Sequence, residues 1–199
     1  MRPKKSGNGL ISVLAVGLGN PGPRYAATRH NVGFRALDHF GVRLRRPFFN
    51  PFEYGVYPLG SCSIGLLRPL TYMNRSGEAV GRAVRLTGLE AGQLVVLCDN
   101  LDLEPGVIRV KRGGSSAGHN GLKSIIATLG SESFMRVYIG IGRPGRAESV
   151  VDYVLGVPEF PEAERIEDAC RRAARAVIRL AELDVAQVMH EFNTSPPSD

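Results

Sequence analysis

Residues 13–31 read VLAVGLGNPGPRYAATRHN. An apolar run, Val13 to Val16, stops at Gly17-Leu18-Gly19-Asn20-Pro21-Gly22. Gly17, Gly19 and Gly22 match the glycine fingerprint of a dinucleotide-binding fold. That fingerprint works when an apolar helix opens at the glycines and an acidic residue ends the next strand about 20 residues on. Here two prolines, Pro21 and Pro23, and the polar run Thr28-Arg29-His30-Asn31 fill that place, and the apolar helical pattern starts only near Val32. Asp38 stands at the right distance but inside that helix. The stretch reads instead as a strand ending in a sharp loop, where open α/β sheets bind ligands. The loop presents Asn20, and the segment after it presents His30 and Asn31.

Working outward, further apolar runs rich in Val and Ile and bounded by Gly or Pro predict strands over 11–17, 62–69, 93–99, 106–113 and 135–142. Helical stripes lie between them. Ala79, Val80, Ala83 and Val84 share one face, as do Leu122, Ile125, Ile126 and Leu129, with Gly130 placed to cap the end. The longest helix is predicted over about 160–183, with Ile166, Ala169, Ala173, Val177 and Leu180 on one side. Strands alternating with helices imply a single-domain, three-layer α/β sandwich around a central mixed, mostly parallel twisted sheet. The expected organisation is a disordered lead over 1–9, one domain over 10–193 and a frayed tail over 194–199.

Composition narrows the function classes. The 199 residues are 43% hydrophobic, enough for a sizeable core. A net charge of +6 favours a polyanionic partner, although a scattered basic surface would carry the same total. Three distant cysteines, Cys62, Cys98 and Cys170, without a C-x-x-C pair argue against a disulfide framework or a zinc site. They point to a reducing, cytoplasmic compartment. No apolar run approaches the roughly 18 residues that span a bilayer.

The strand ends carry the chemistry. Tyr72 and Asn74 follow the second predicted strand, Asp99 ends the third, and His119-Asn120 follow the fourth. These loops are expected at one edge of the sheet. A neutral histidine serves as general base near pH 7, a carboxylate on its other nitrogen fixes the tautomer, and amides stabilise an oxyanion. Each residue alone also reads as a turn or cap. Two histidines and an aspartate could hold a metal, but no H-x-x-x-H or H-x-H spacing exists, and no metal is expected. Without an obvious Ser or Cys nucleophile motif, water is the natural nucleophile, and the residues point to a hydrolase.

The segments VGLGNPGPRYAATRHNVGF, RPLTYMNRSGEAV, DNLDLEPGVIRVKRGG, GHNGLKSI and RVYIGIGRP together resemble bacterial peptidyl-tRNA hydrolase, in register from about Val13 to Pro158. The resemblance implies cleavage of the ester joining a peptide to the 3′-terminal ribose of tRNA, by a cytoplasmic monomer without organic cofactor or metal. It implies His30 as general base, Asp99 as its polarising acid, and Asn120 as the group that orients water or ester and stabilises the oxyanion. Asn20 and Asn74 would hold the peptide and the scissile ester. Tyr25 and Tyr72 would line the cleft with Met73 beside them, and His119 would lie at its rim. Arg109, Lys111 and Lys123 would meet the acceptor-stem phosphates of tRNA. The arginines of 171–179, interleaved with Glu167 and Asp168, read as a solvated helix face.

The chain departs from the family pattern in three places. Cys98 stands where the family usually has His, and Asn100 replaces the next acid. Tyr138 stands where the family often has an arginine linked to phosphate contact, leaving Arg136 and Arg143 as candidates to take over. The competing readings are a non-catalytic RNA-binding relative of the same fold and the nicotinamide enzyme of the opening fingerprint.

Overall fold

The apolar runs become strands: β1 (Leu10–Gly17), β2 (Phe52–Leu59), β3 (Cys62–Pro69), β4 (Leu94–Asn100), β5 (Ile108–Arg112) and β6 (Met135–Gly140). In this computed structural model, residues 10–194 are described. The expected lead over 1–9 and residues 195–199 of the expected tail lie outside them. The six strands form one sheet in the order β2-β3-β1-β4-β6-β5. The inner strands β3, β1, β4 and β6 run parallel, and the edges β2 and β5 run antiparallel to their neighbours.

Helices cover both faces. α1 (Val32–Asp38), α5 (Glu162–Glu182) and α6 (Val185–Asn193) bury residues such as Leu37, Ile166, Val177 and Val188 on one face. α2 (Ser76–Thr87) and α3 (Asn120–Leu129) bury Val80, Leu122 and Ile125 on the other. A short helix, α4 (Val150–Leu155), follows β6. Both α2 and α3 end on a left-handed glycine, Gly88 and Gly130, where a side chain would be strained. The three-layer α/β sandwich with a mostly parallel sheet is therefore the observed fold.

The opening fingerprint has a packing role here. A Cβ on Gly17 would stand 2.3 Å from the Gly33 carbonyl oxygen, and one on Gly19 would stand 2.8 Å from the Phe34 ring. These glycines let the end of β1 lie against α1. Gly22, at φ 105°, supplies the turn into a 3-10 segment rather than into a long helix.

Two features differ from expectation. β2, α4 and α6 were not foreseen. β2 is a half-buried edge strand interrupted by Gly55 and Pro58, so its pattern is weak. The loop after the fourth predicted strand does not start at the edge that carries Asp99. β5 runs antiparallel to β6, pairing Ile108 with Ile139 and Arg112 with Met135, so its carboxyl end lies at the opposite edge. Residues 113–119 travel back along the sheet to deliver His119 and Asn120.

Candidate active site

The segment that carries His30 is fixed on two sides. It is a 3-10 turn, Arg29–Asn31, entered through the buried Thr28, whose hydroxyl donates to the Tyr25 carbonyl at 2.8 Å. Asn31 staples it to the β1 loop. Its Oδ1 accepts from the Asn20 N–H at 2.8 Å, and its Nδ2 donates to the Asn20 carbonyl at 2.9 Å. On the other side Arg29 makes a two-point contact with Glu162, at 2.7 and 2.9 Å, and lies over the Tyr153 ring.

Asp99 is the penultimate residue of β4 and is 5% exposed. One of its oxygens, Oδ1, accepts from His30 Nδ1 at 2.8 Å and from His119 Nε2 at 3.1 Å. His119 has a second task as the N-cap of α3. Its Nδ1 accepts the Gly121 and Leu122 N–H groups, which leaves its ring proton on Nε2, directed at Asp99. His30 has no such task. With Nδ1 on Asp99, its Nε2 has no partner among the described residues and is the basic nitrogen of the site.

Electrostatics follow the same pattern. Burial opposes a charged His30 ring, but the Asp99 charge and hydrogen bond outweigh it and raise the pKa above the ordinary value. Burial opposes the Asp99 anion too, yet the two histidines hold it well below the usual carboxylate range. Burial pushes the Cys98 thiol well up, which removes it as a nucleophile.

A cleft of about 280 Å³ opens over these groups, lined by His30, Asp99, His119, Asn120 and Tyr138, with Val150, Val151 and Val154 as an apolar wall. An apolar wall beside a histidine–carboxylate pair and the exposed Asn120 amide suits general-base attack of water on an acyl carbon. His30, Asp99 and His119 are also the cluster that could hold a metal ion, since their donor atoms lie within 4.8 Å of one another. As arranged, two N–H protons occupy the positions facing Asp99, so a cation there would have to displace both.

The fold coincides with that of known proteins. The family model for peptidyl-tRNA hydrolase matches residues 14–199. The chain belongs to the peptidyl-tRNA hydrolase family. It is 44% identical to the peptidyl-tRNA hydrolase of Shouchella clausii, over 90% of this chain and 99% of that one. It is likewise 44% identical to the Nitrosomonas europaea peptidyl-tRNA hydrolase, over 91% and 95%. The crystal structure of peptidyl-tRNA hydrolase from Acinetobacter baumannii superposes with a TM-score of 0.87 at 36% identity, covering 94% of this chain and 98% of that one.

Within this peptidyl-tRNA hydrolase fold the expected site residues fall into three groups. His30, Asp99, His119 and Asn120 meet at one cleft. Asn20 lines a second cavity of about 260 Å³ with Asn31, Phe34, Arg68 and Leu70. Its Oδ1 accepts the Met73 N–H at 2.8 Å, linking the β1 and β3 loops. Met73 is 4% exposed and packs in the core, whereas Tyr72 and Asn74 are exposed and Tyr25 is half-buried. Arg109, Lys111 and Lys123 are all exposed, the first two on the edge strand β5 and the third on α3. His119 sits against Asp99, deeper than the expected rim position. Sequence reasoning missed Tyr138 and the three valines as cleft lining. Their only signal was the apolar, period-two and helical patterning that any core residue shows.

The two arginines that could replace the family arginine lie in different surroundings. Arg136 is fully buried and cannot touch a ligand. Arg143 is exposed, and its Nε donates to Asp102 at 3.0 Å.

Proposed function

We propose that the chain hydrolyses the ester between a peptide and the 3′-terminal ribose of tRNA, freeing both for reuse. The observation that carries this reading is the His30 Nδ1–Asp99 contact of 2.8 Å at the floor of a cleft, with His30 Nε2 unpartnered among the described residues. In this mechanism Nε2 takes a proton from water as the water oxygen attacks the ester carbonyl. The Asn120 amide donates to the oxyanion that forms. Collapse breaks the bond from the acyl carbon to the 3′-oxygen, and the imidazolium returns its proton to that oxygen. Asp99 holds the tautomer and stabilises the imidazolium. Asn20, Asn74, Tyr25 and Tyr72 hold the peptide side.

The +6 charge and the exposed Arg109, Lys111 and Lys123 supply phosphate contacts for the acceptor stem. No helix among the described residues is long and apolar enough to cross a membrane, and the reading places the protein in the cytoplasm as a monomer. The test is cleavage of an N-blocked aminoacyl-tRNA, with and without EDTA, by wild type and His30→Ala. Cleavage that resists chelator and vanishes in the variant is expected. Intact substrate in every tube with tRNA still bound would make the chain a non-catalytic RNA binder.

A further inference from the structure

Arg136, on β6, has a wholly buried side chain. It makes no ion pair with a carboxylate among the described residues, and it stacks 4.8 Å from the Phe134 ring centre. A buried charge without a counter-ion is costly, and a methionine would fill the same space without that cost. What the guanidinium holds is main chain. Nη2 donates to the Gly114 carbonyl, and Nη1 donates to the Ser115 carbonyl and to the Tyr138 hydroxyl at 3.1 Å. Its Nε has no partner.

Two consecutive carbonyls drawn onto one cation fix the opposite ends of their peptide units. In a planar trans peptide the N–H points away from the C=O before it. The N–H groups of Ser115 and Ser116 are therefore turned away from Arg136, and neither donates to any group among the described residues. Gly113 and Gly114, at φ 65° and 102°, allow this path. The Lys111 ammonium lies against the same loop: a Cβ on Gly114 would stand 3.2 Å from its Nζ and 3.9 Å from Arg136 Nη1. Outward amides flanked by an ammonium and backed by a cation attract an anion.

We infer that the main-chain amides of Ser115 and Ser116 bind a phosphate of the RNA substrate beside Lys111, and that Arg136 is the positioning residue that turns them outward. Arg136 acts through the backbone and never meets the phosphate. This rests on the peptidyl-tRNA reading and adds donors to it that no side-chain pattern displays.

The experiment compares wild type, Arg136→Met and Arg136→Lys on N-acetyl-aminoacyl-tRNA, measuring kcat and KM separately. Arg136→Met is expected to raise KM about tenfold with kcat within about threefold, and Arg136→Lys to recover part of the loss. Lys111→Ala should cost less in the Arg136→Met background than in wild type, because the two act on one phosphate. A folded Arg136→Met protein with unchanged KM, or one that loses kcat instead, overturns the inference. Should the variant not fold, the wild-type amide resonances decide. Those of Ser115 and Ser116 are expected to move when deacylated tRNA is added, and their standing still while the Lys123 amide moves overturns it as well. Wild type that fails to hydrolyse the substrate sinks the underlying reading instead, a result separate from any of these.

Discussion

His30 and His119 donate to the same oxygen of Asp99, and their rings stand 5.3 Å apart, yet they are chemically unlike. His119 spends its second nitrogen on the first turn of α3. His30 is held by its backbone neighbours, Asn31 and Arg29, and keeps its second nitrogen for chemistry. Proximity to a carboxylate does not make a histidine a base. What matters is whether the other nitrogen is already engaged, and that depends on the local chain: a 3-10 turn in one case, a helix N-terminus in the other.

This contrast is breakable. His30→Ala is expected to lower kcat by about 10²–10⁴, the range that general-base catalysis supplies. His119→Ala should cost about tenfold or less. Equal losses would mean that the histidines act as one unit. Asp99→Asn should also lower kcat by about 10²–10⁴, since it spoils the tautomer of the base.

Asp99→Asn also sharpens the pH dependence. The rate needs a neutral His30 and should fall as pH drops through its raised pKa. Removing the Asp99 charge leaves burial as the dominant influence, which favours the neutral ring. The acid limb of kcat/KM against pH should therefore move to lower pH in the residual activity of Asp99→Asn. A limb that stays in place, or moves up, would separate it from His30.

Smaller effects test what holds each ring. Asn31→Ala leaves the buried Asn20 N–H and carbonyl without partners and should cost about 2 kcal/mol in a denaturant titration. His119→Ala should cost about 1 kcal/mol through loss of the cap, and His119→Asn should restore most of it, since asparagine caps well. If His119→Asn is as unstable as the alanine variant, the Asp99 contact outweighs the cap. The smallest effect is expected from Lys111→Ala, which touches neither histidine. It should weaken binding and reduce the slope of log KM against log salt by about one phosphate contact.

Much of this arrangement was legible. The β3 span Cys62–Pro69 coincides with its apolar run, and α3 with its stripe and terminal glycine, because inner strands and amphipathic helices carry strong periodic signals. β2 was not legible, since this half-buried edge strand breaks its alternation with glycine, proline and charge. The residue types at the strand ends suggested a histidine, a carboxylate and amides. They could not say which histidine caps a helix, because that depends on where α3 begins relative to Asp99.

By itself the sequence determined the α/β class, the parallel inner strands and the set of polar groups at the sheet edge, all of which are written in short-range patterning. The GLGNPG run reads from sequence as a loop at a strand end, and the structure adds what its first glycine does: the end of β1 lies against α1, where glycines 17 and 33 touch. Only the tertiary structure decided that β5 runs backward and returns its loop to Asp99. It also buried Arg136, a candidate by resemblance for phosphate contact, beneath that loop. Both are outcomes of long-range packing, in which residues far apart in the chain compete for one carboxylate or one row of carbonyls, and no local pattern records the winner.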